Sequence, residues 1–138
     1  MTEIGNFAFA YCSVLSSIKI PDSVTSIGYA AFTHCGLLAF VEIGNGVTCI
    51  DNWTFENCSS LTSIVIGGNV NLIKDKATVG CSSLKNIYYK GVQNEWNQIT
   101  IDGANSYLTS ATRYYYSESQ PTEDSNFWHY VDGELVVW

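Results

Sequence analysis

Apolar residues return along this chain at a fixed interval of 23 residues, separated by small and polar residues. Within each interval one short segment alternates β-branched or aromatic residues with other residues, the pattern of a strand that buries one face. Four segments have this pattern: Ile18–Ile20, Val41–Ile43, Ile64–Ile66 and Ile87–Tyr89. A fixed period in this range predicts a solenoid, in which each repeat forms one coil and stacks on the next.

A second and shorter extended segment recurs in each interval, with Val24–Ile27 and Val47–Ile50 as examples. Between it and the longer strand, phenylalanine recurs at Phe9, Phe32 and Phe55. We expect this stretch to form a helical turn whose phenylalanine fills the inside of the coil. The predicted fold class is therefore mainly β with short helical turns.

The periodicity separates a repeat region from a less regular C-terminal part. In the fourth repeat Thr78 replaces the phenylalanine, as expected where an array ends and its last coil needs a polar outer side. The segment Val92–Ile99 predicts a short amphipathic helix with Val92, Trp96 and Ile99 on one face, and Ala111–Tyr116 predicts a closing strand. The predicted organisation is four repeats (2–24, 25–47, 48–70 and 71–89) within residues 1–89, a cap at 90–116, a linker at 117–125 and a β-hairpin at 126–138.

The C-terminal hairpin is predicted by Asp132-Gly133 between two apolar runs, a dipeptide that strongly favours a two-residue turn. Pairing across this turn places Trp128 and Tyr130 on one face and Trp138 on the other. Both faces are hydrophobic, and an isolated two-stranded hairpin is only marginally stable in water. We therefore expect the hairpin to pack on the solenoid, to begin another module, or to bind a ligand.

Charge narrows the range of partners. The formal net charge is -7, charged residues make up only 14% of the chain, and the 6 basic residues are scattered. Nucleic acid and anionic membranes are not expected partners, because phosphate binding requires clustered Lys and Arg. The chain has no apolar run of the length that predicts membrane insertion. Residues 1–20 already follow the repeat pattern and lack the features of a signal peptide, so we expect a piece of a longer protein.

Four of the 5 cysteines, Cys12, Cys35, Cys58 and Cys81, share the 23-residue period. Metal sites need close pairs such as Cys-x-x-Cys, which are missing here. Stacked coils lie ~4.8 Å apart with parallel side chains, whereas a disulfide needs Cβ atoms within about 3.5–4.5 Å. We therefore expect a buried packing ladder of free cysteines and no metal or cofactor.

The strings SVTSIGYAAFTHCGLLAFVEI, NCSSLTSIVI and GCSSLKNIYYKG resemble the BspA-like leucine-rich repeats. The segment KGVQNEWNQI…TSATRYYYS is similar to one that often follows the last repeat in such proteins. The resemblance covers residues 2–116. It implies a right-handed leucine-rich-repeat solenoid, bacterial, secreted or at the cell surface, with roles in adhesion or host-protein binding. No catalytic residue or cofactor is implied.

Four outward positions on the predicted sheet form a candidate protein-binding surface: Phe40, Glu42, Val65 and Tyr88. Three of them are apolar side chains surrounded by polar residues, which is typical of binding patches. Lys19 and Glu42 would be cross-strand neighbours on the same sheet. We therefore predict a non-enzymatic module that presents this surface to a protein partner, such as a host extracellular protein.

The alternative function is attachment to carbohydrate or to the cell wall through the aromatic hairpin. In that case Trp128, Tyr130 and Trp138 would stack on sugar rings of a glycan. An enzyme is not expected. His34 precedes Cys35, but a Cys–His nucleophile requires hydrogen-bond geometry and an orienting group, and Cys35 is predicted to be buried.

Overall fold

The computed structural model describes residues 1–123 and 125–138, in which the chain winds through stacked coils. Each coil contributes one short strand to a 5-stranded sheet and one longer strand to a 7-stranded sheet. The short strands are β1 (Glu3–Ile4), β3 (Ser26–Ile27), β5 (Cys49–Ile50), β7 (Leu72–Ile73) and β9 (Thr100–Ile101). The longer strands are β2 (Ser17–Ile20), β4 (Phe40–Ile43), β6 (Ser63–Ile66), β8 (Asn86–Tyr89) and β10 (Thr112–Tyr116), followed by β11 (Phe127–Val131) and β12 (Glu134–Val137). Two short helices, α1 (Gln93–Trp96) and α2 (Ser106–Ser110), complete the elements, so the predicted mainly β solenoid is confirmed.

The core lies inside the coils, because the apolar residues that recur every 23 positions point inward from both sheets. Val41, Ile64 and Ile87 are register partners in the long strands, and Ile27 pairs with Ile50 in the short ones. All of these side chains are almost completely buried. Burying such a side chain contributes about 1.5–3 kcal/mol, so the inward rows are the main source of stability.

The stretch between the short and long strands is not the helical turn that we predict from the sequence. Its alternate amides point to the next coil: Phe9 N–H donates to Ala31 O and Phe32 N–H to Thr54 O, both at 2.8 Å. Left-handed backbone interrupts the stretch twice in each of the first four coils, which prevents a continuous right-handed helix. These residues are Phe7, Ala30, Trp53 and Lys76 at the first position, and Tyr11, His34, Asn57 and Gly80 at the second. The turns thus form a third hydrogen-bonded ladder between coils.

Phenylalanine and cysteine line the inside of these turns. Phe32 stacks on Phe9 and on Phe55, with ring centroids 5.1 Å and 5.5 Å apart. The thiol of Cys35 donates to Phe9 O at 3.0 Å, and that of Cys58 donates to Phe32 O at 3.1 Å. All five cysteines are free, and three of the four in the ladder are fully buried. The predicted packing ladder is confirmed there, and each thiol also satisfies a carbonyl of the preceding coil.

The segment predicted as a cap completes one more coil. Strand β9 pairs with β7 and β10 pairs with β8, so both sheets continue past the regular repeats. Trp96 is buried as predicted, but Val92 is 53% exposed and does not share its buried face.

Asn105, at the start of α2, is buried where the stack of phenylalanines ends. Its Oδ1 accepts hydrogen bonds from the Thr78 N–H at 3.0 Å and hydroxyl at 3.1 Å.

The C-terminal hairpin packs on the solenoid, which is one of the three outcomes considered for it. Strand β11 joins β10 through two parallel pairs, Phe127 with Tyr115 and Trp128 with Tyr116. Strands β11 and β12 pair antiparallel in the register predicted from the Asp132–Gly133 turn, and that prediction is confirmed. Both turn residues have positive φ, as a type I′ turn requires.

Candidate functional site on the outer face of the large sheet

The outer face of the 7-stranded sheet carries two rows of side chains that run across the strands. The first row is Ser17, Phe40, Ser63, Asn86 and Thr112, and the second is Lys19, Glu42, Val65, Tyr88 and Tyr114. All four residues predicted for the protein-binding surface lie in these rows. Phe40 belongs to the first row, while Glu42, Val65 and Tyr88 are consecutive members of the second.

The hairpin folds back over the second row. Trp128 packs edge-to-face on Tyr88 with ring centroids 6.0 Å apart, and the Tyr130 hydroxyl donates to Glu42 Oε1 at 2.6 Å. Val65 lies between Glu42 and Tyr88 and is completely buried. The prediction that Val65 is exposed is therefore wrong, because a later segment of the same chain covers its row.

Glu42 is the polar anchor of the docked hairpin. Its Oε1 lies 2.6 Å from Tyr130 Oη, 3.1 Å from Lys90 Nζ and 3.6 Å from Lys19 Nζ. The Lys19 contact is the predicted cross-strand pair. Burial alone would raise the pKa of Glu42, but hydrogen bonds from Tyr130 and Lys90 and the lysine charges lower the pKa below its ordinary value. Burial, together with the Glu42 carboxylate, raises the pKa of Tyr130, so its hydroxyl stays protonated and donates.

Trp128 is the apolar anchor of the hairpin. Its side chain is completely buried, and its Nε1 donates to Tyr89 O at 2.9 Å. Its ring also contacts Tyr130, with centroids 5.0 Å apart. A fully buried ring offers no face to a sugar, so the structure does not support the glycan-stacking role predicted for Trp128. Trp138 is 43% exposed, but one face of its ring stacks on the His129 ring, with centroids 3.8 Å apart.

The hairpin leaves the first row accessible along its length. Phe40 is a half-buried ring with Ser17 and Ser63 as its register neighbours. Tyr88 and Tyr114 stack with ring centroids 4.9 Å apart and also remain partly exposed. We call the first row together with this tyrosine pair the outer strip. The predicted patch is thus narrowed to a strip with Phe40 towards one end and the tyrosine pair at the other.

An open cleft of about 620 Å³ lies between the hairpin and the ends of β2 and β4. We call it the hairpin cleft. Its polar and aromatic lining residues are Lys19, Asp22, Glu42, Asn45, Lys90, Tyr116 and Tyr130. Of these, sequence reasoning selects only Glu42 and Tyr130, and it assigns them to two different sites. The remaining lining residues follow no pattern that could mark them, because the cleft is formed only when the hairpin docks.

The described residues show no activated nucleophile. The Cys35 thiol donates to Phe9 O, while the neighbouring His34 ring stacks on Tyr11 at 4.8 Å. Burial raises the pKa of the Cys35 thiol, and it raises the pKa of Cys81 to about 12, so both stay protonated and unreactive.

Residues 1–123 and 125–138 contain no group of His, Cys, Asp and Glu arranged to hold a metal ion. No helix in these same ranges has the length and apolarity to cross a membrane.

Stacked coils with parallel in-register ladders and internal rows of Leu, Ile and Phe define a leucine-rich-repeat solenoid. This class of scaffold creates extended surfaces for binding. The BspA type leucine rich repeat region matches residues 1–117 in 6 copies, and the chain belongs to this family. Solenoids of this kind are typically non-enzymatic. No curated protein matches the chain.

Two solved bacterial structures are similar to this chain. A leucine rich cell surface protein from Faecalibacterium prausnitzii A2-165 is 31% identical, with a TM-score of 0.59 over 72% of this chain and 32% of its own. The leucine rich repeat protein of T. pallidum is 25% identical, with a TM-score of 0.68 over 85% of this chain and 52% of its own. The match therefore spans no more than 52% of the length of either relative.

Proposed function

We propose that this chain is a non-enzymatic adhesion module of a bacterial cell-surface protein, and that its outer strip binds a protein partner. The observation that carries the proposal is that the outer strip stays accessible after the hairpin has covered the adjacent row. Surface location is supported by the likeness to a leucine rich cell surface protein. A host extracellular protein is the partner class that a protein at the cell surface would meet. The net charge of -7 favours a protein partner over nucleic acid.

The outer strip is rigid before any partner arrives. Its side chains stand on strands that are paired on both sides, except at the edge strand β2. Tyr88 is additionally held by Trp128 on one side and by Tyr114 on the other. Rigid aromatic residues lose little conformational entropy on binding and are enriched among the residues that dominate interface energies. Phe40, Tyr88 and Tyr114 are therefore the residues expected to contribute most to affinity.

The alternative of glycan attachment through the faces of the hairpin has weaker support. Trp128 and Tyr130 are used to dock the hairpin, through contacts with Tyr88 and Glu42. Of the three residues proposed for stacking, only Trp138 is exposed, at 43%, and one face of its ring is already stacked on His129. One exposed ring offers little area for a sugar chain, so the outer strip is the preferred site.

The test uses two pairs of matched surface changes, each with one member in the outer strip and one on the turn side. Ser63→Arg places a long cation in the middle of the outer strip, and Ser59→Arg places the same cation on an exposed turn of the same coil. Phe40→Ala removes the aromatic ring of the strip, and Tyr11→Ala removes an exposed ring from the turn side. The four variants and the unchanged protein are compared against purified extracellular-matrix proteins and host epithelial cells by biosensor and adhesion assays.

We expect Ser63→Arg to abolish binding and Phe40→Ala to weaken it about tenfold, which corresponds to about 1.4 kcal/mol. Ser59→Arg and Tyr11→Ala should bind like the unchanged protein. Equal thermal unfolding of all variants would show that the fold is intact. If Ser63→Arg binds as well as Ser59→Arg, the outer strip is not the binding surface.

A further inference from the structure

The hairpin cleft has the size of a small-ligand site and a defined construction. Its volume of about 620 Å³ falls in the range of roughly 300–1,000 Å³ that is typical of such sites. One side is formed by the ends of β2 and β4 and the residues that follow them, including Asp22 and Asn45. Tyr130 and Gly133 of the hairpin line the cleft as well, together with Tyr116 at the end of β10.

The charges that line the cleft cancel. Lys19 and Lys90 contribute two positive charges, and Asp22 and Glu42 contribute two negative charges. An anionic ligand such as a phosphate requires an excess of positive charge, and a cationic ligand requires the reverse. A balanced lining therefore favours a ligand without net charge.

Hydrogen-bonding groups of both kinds are free in the cleft. Glu42 Oε1 accepts from Tyr130 and Lys90, while among the described residues no donor reaches its Oε2. The described residues hold no fully buried side-chain oxygen or nitrogen without a partner, so this Oε2 keeps some access to solvent although the Glu42 side chain is only 10% exposed. Asp22 uses Oδ1 to accept from the Asn45 N–H at 2.7 Å, which leaves its second oxygen as another acceptor.

Donors and apolar surface complete the arrangement. The Lys19 ammonium is on a side chain that is 70% exposed, and Asn45 uses only its Oδ1 in a side-chain hydrogen bond, to Gly68 N–H. The rings of Tyr116 and Tyr130 lie with centroids 6.3 Å apart at an angle of 51° and supply apolar surface, and Lys90 Nζ lies 5.9 Å from the centroid of the Tyr130 ring. A sugar ring matches this lining, because it carries hydroxyl groups that both donate and accept and has apolar C–H faces that pack on aromatic rings.

We propose that the hairpin cleft binds a neutral sugar unit of a glycan. This site is distinct from the outer strip and goes beyond the protein-binding function proposed above. Glu42 and Asp22 accept hydrogen bonds from the sugar hydroxyls, Lys19 and Asn45 donate to them, and the tyrosine rings pack on the sugar face. The hydrogen bond from Tyr130 to Glu42 fixes one carboxylate oxygen and the ring before the sugar enters, which lowers the entropic cost of binding.

The experiment uses an array that holds neutral oligosaccharides beside sialylated and sulfated ones, followed by biosensor titration of the neutral glycans that bind. Lys19→Ala removes one donor from the cleft, and Lys19→Trp fills its entrance. Lys85→Ala and Lys85→Trp make the same changes at an exposed lysine outside the cleft lining. Unfolding temperatures of all four variants verify that each is folded.

We expect the unchanged protein to bind neutral glycans, and Lys19→Ala to weaken binding about fivefold, as the loss of one hydrogen bond predicts. Lys19→Trp should abolish binding, while both Lys85 variants should keep it. The proposal is overturned if no neutral glycan binds, if only anionic glycans bind, or if Lys19→Trp binds as well as Lys85→Trp. Ser63→Arg should leave glycan binding intact, so failure of the outer strip and failure of the cleft can be told apart.

Discussion

Replacing Trp128 by alanine should detach the hairpin from the solenoid while the repeats stay folded. Trp128 is the largest completely buried side chain, and it holds β11 through Tyr88 and through the hydrogen bond to Tyr89 O. The repeats themselves do not depend on this ring, because their core lies on the other side of the sheet. The expected damage is therefore local.

The magnitude follows from the burial. Truncating a fully buried tryptophan removes its transfer free energy and leaves a cavity, at a cost of about 3–5 kcal/mol. Since a factor of ten in an equilibrium corresponds to about 1.4 kcal/mol, the ratio of docked to undocked hairpin should fall by about two to three and a half orders of magnitude. An isolated two-stranded hairpin is marginal in water, so little of its structure should survive undocking.

Amide hydrogen exchange measured by mass spectrometry reports the result by segment. In Trp128→Ala, exchange should accelerate by at least about 100-fold across β11 and β12, with much smaller changes in β4 and β6. Trp138→Ala is the matched control, because that side chain is 43% exposed. If both variants retain the same protection in β11, the account of Trp128 as the anchor is refuted.

Three further predictions concern separate parts of the molecule. Glu42 has a lowered pKa in the fold, so its stabilisation of the docked hairpin is complete above the ordinary value of 4.5 and is lost as the pH falls through the lowered pKa. Protection factors in β11, taken relative to the intrinsic exchange rate at each pH, should therefore decrease as the pH falls below 4.5, and Glu42→Gln should remove that decrease. A thiol reagent at pH 8 should label the half-buried Cys12 and Cys49 first, whereas the three buried thiols, including Cys81 with its raised pKa, should react only after denaturation. Asn105→Ala should lower the free energy of unfolding measured in urea by about 2–3 kcal/mol, because it leaves buried groups of the last coil without partners.

The solenoid could be predicted because the sequence pattern that specifies each coil is short and recurs in every repeat. Each coil carries the same inward residues, so one strand such as Val41–Ile43 identifies all of its equivalents. The turn segment was not predictable in the same way. Its left-handed residues include Ala30 and Trp53, which composition does not distinguish from helix formers. The last coil could not be recognised from the sequence either, because α1 and α2 lengthen it and the 23-residue period is lost there.

The candidate site was only half predictable. The hairpin register followed from Asp132–Gly133 alone, because a two-residue turn determines which residues face each other. The surface on which the hairpin docks could not be predicted from the sequence, because Tyr130 and Glu42 lie far apart along the chain and no local pattern links them. The hairpin cleft depends on that long-range contact, and so its lining could be found only in the folded chain.

An outward apolar row on a sheet indicates that the row becomes covered, but it does not indicate by what. Glu42, Val65 and Tyr88 have the composition of a binding patch, and the surface that they bind is the C-terminal hairpin of their own chain. Without the hairpin, Val65 and Tyr88 would join Phe40 in a larger apolar surface that favours non-specific association. With the hairpin in place, the face is divided into a narrower aromatic strip and a polar cleft. The same docking event therefore limits the apolar surface and creates the more selective of the two candidate sites.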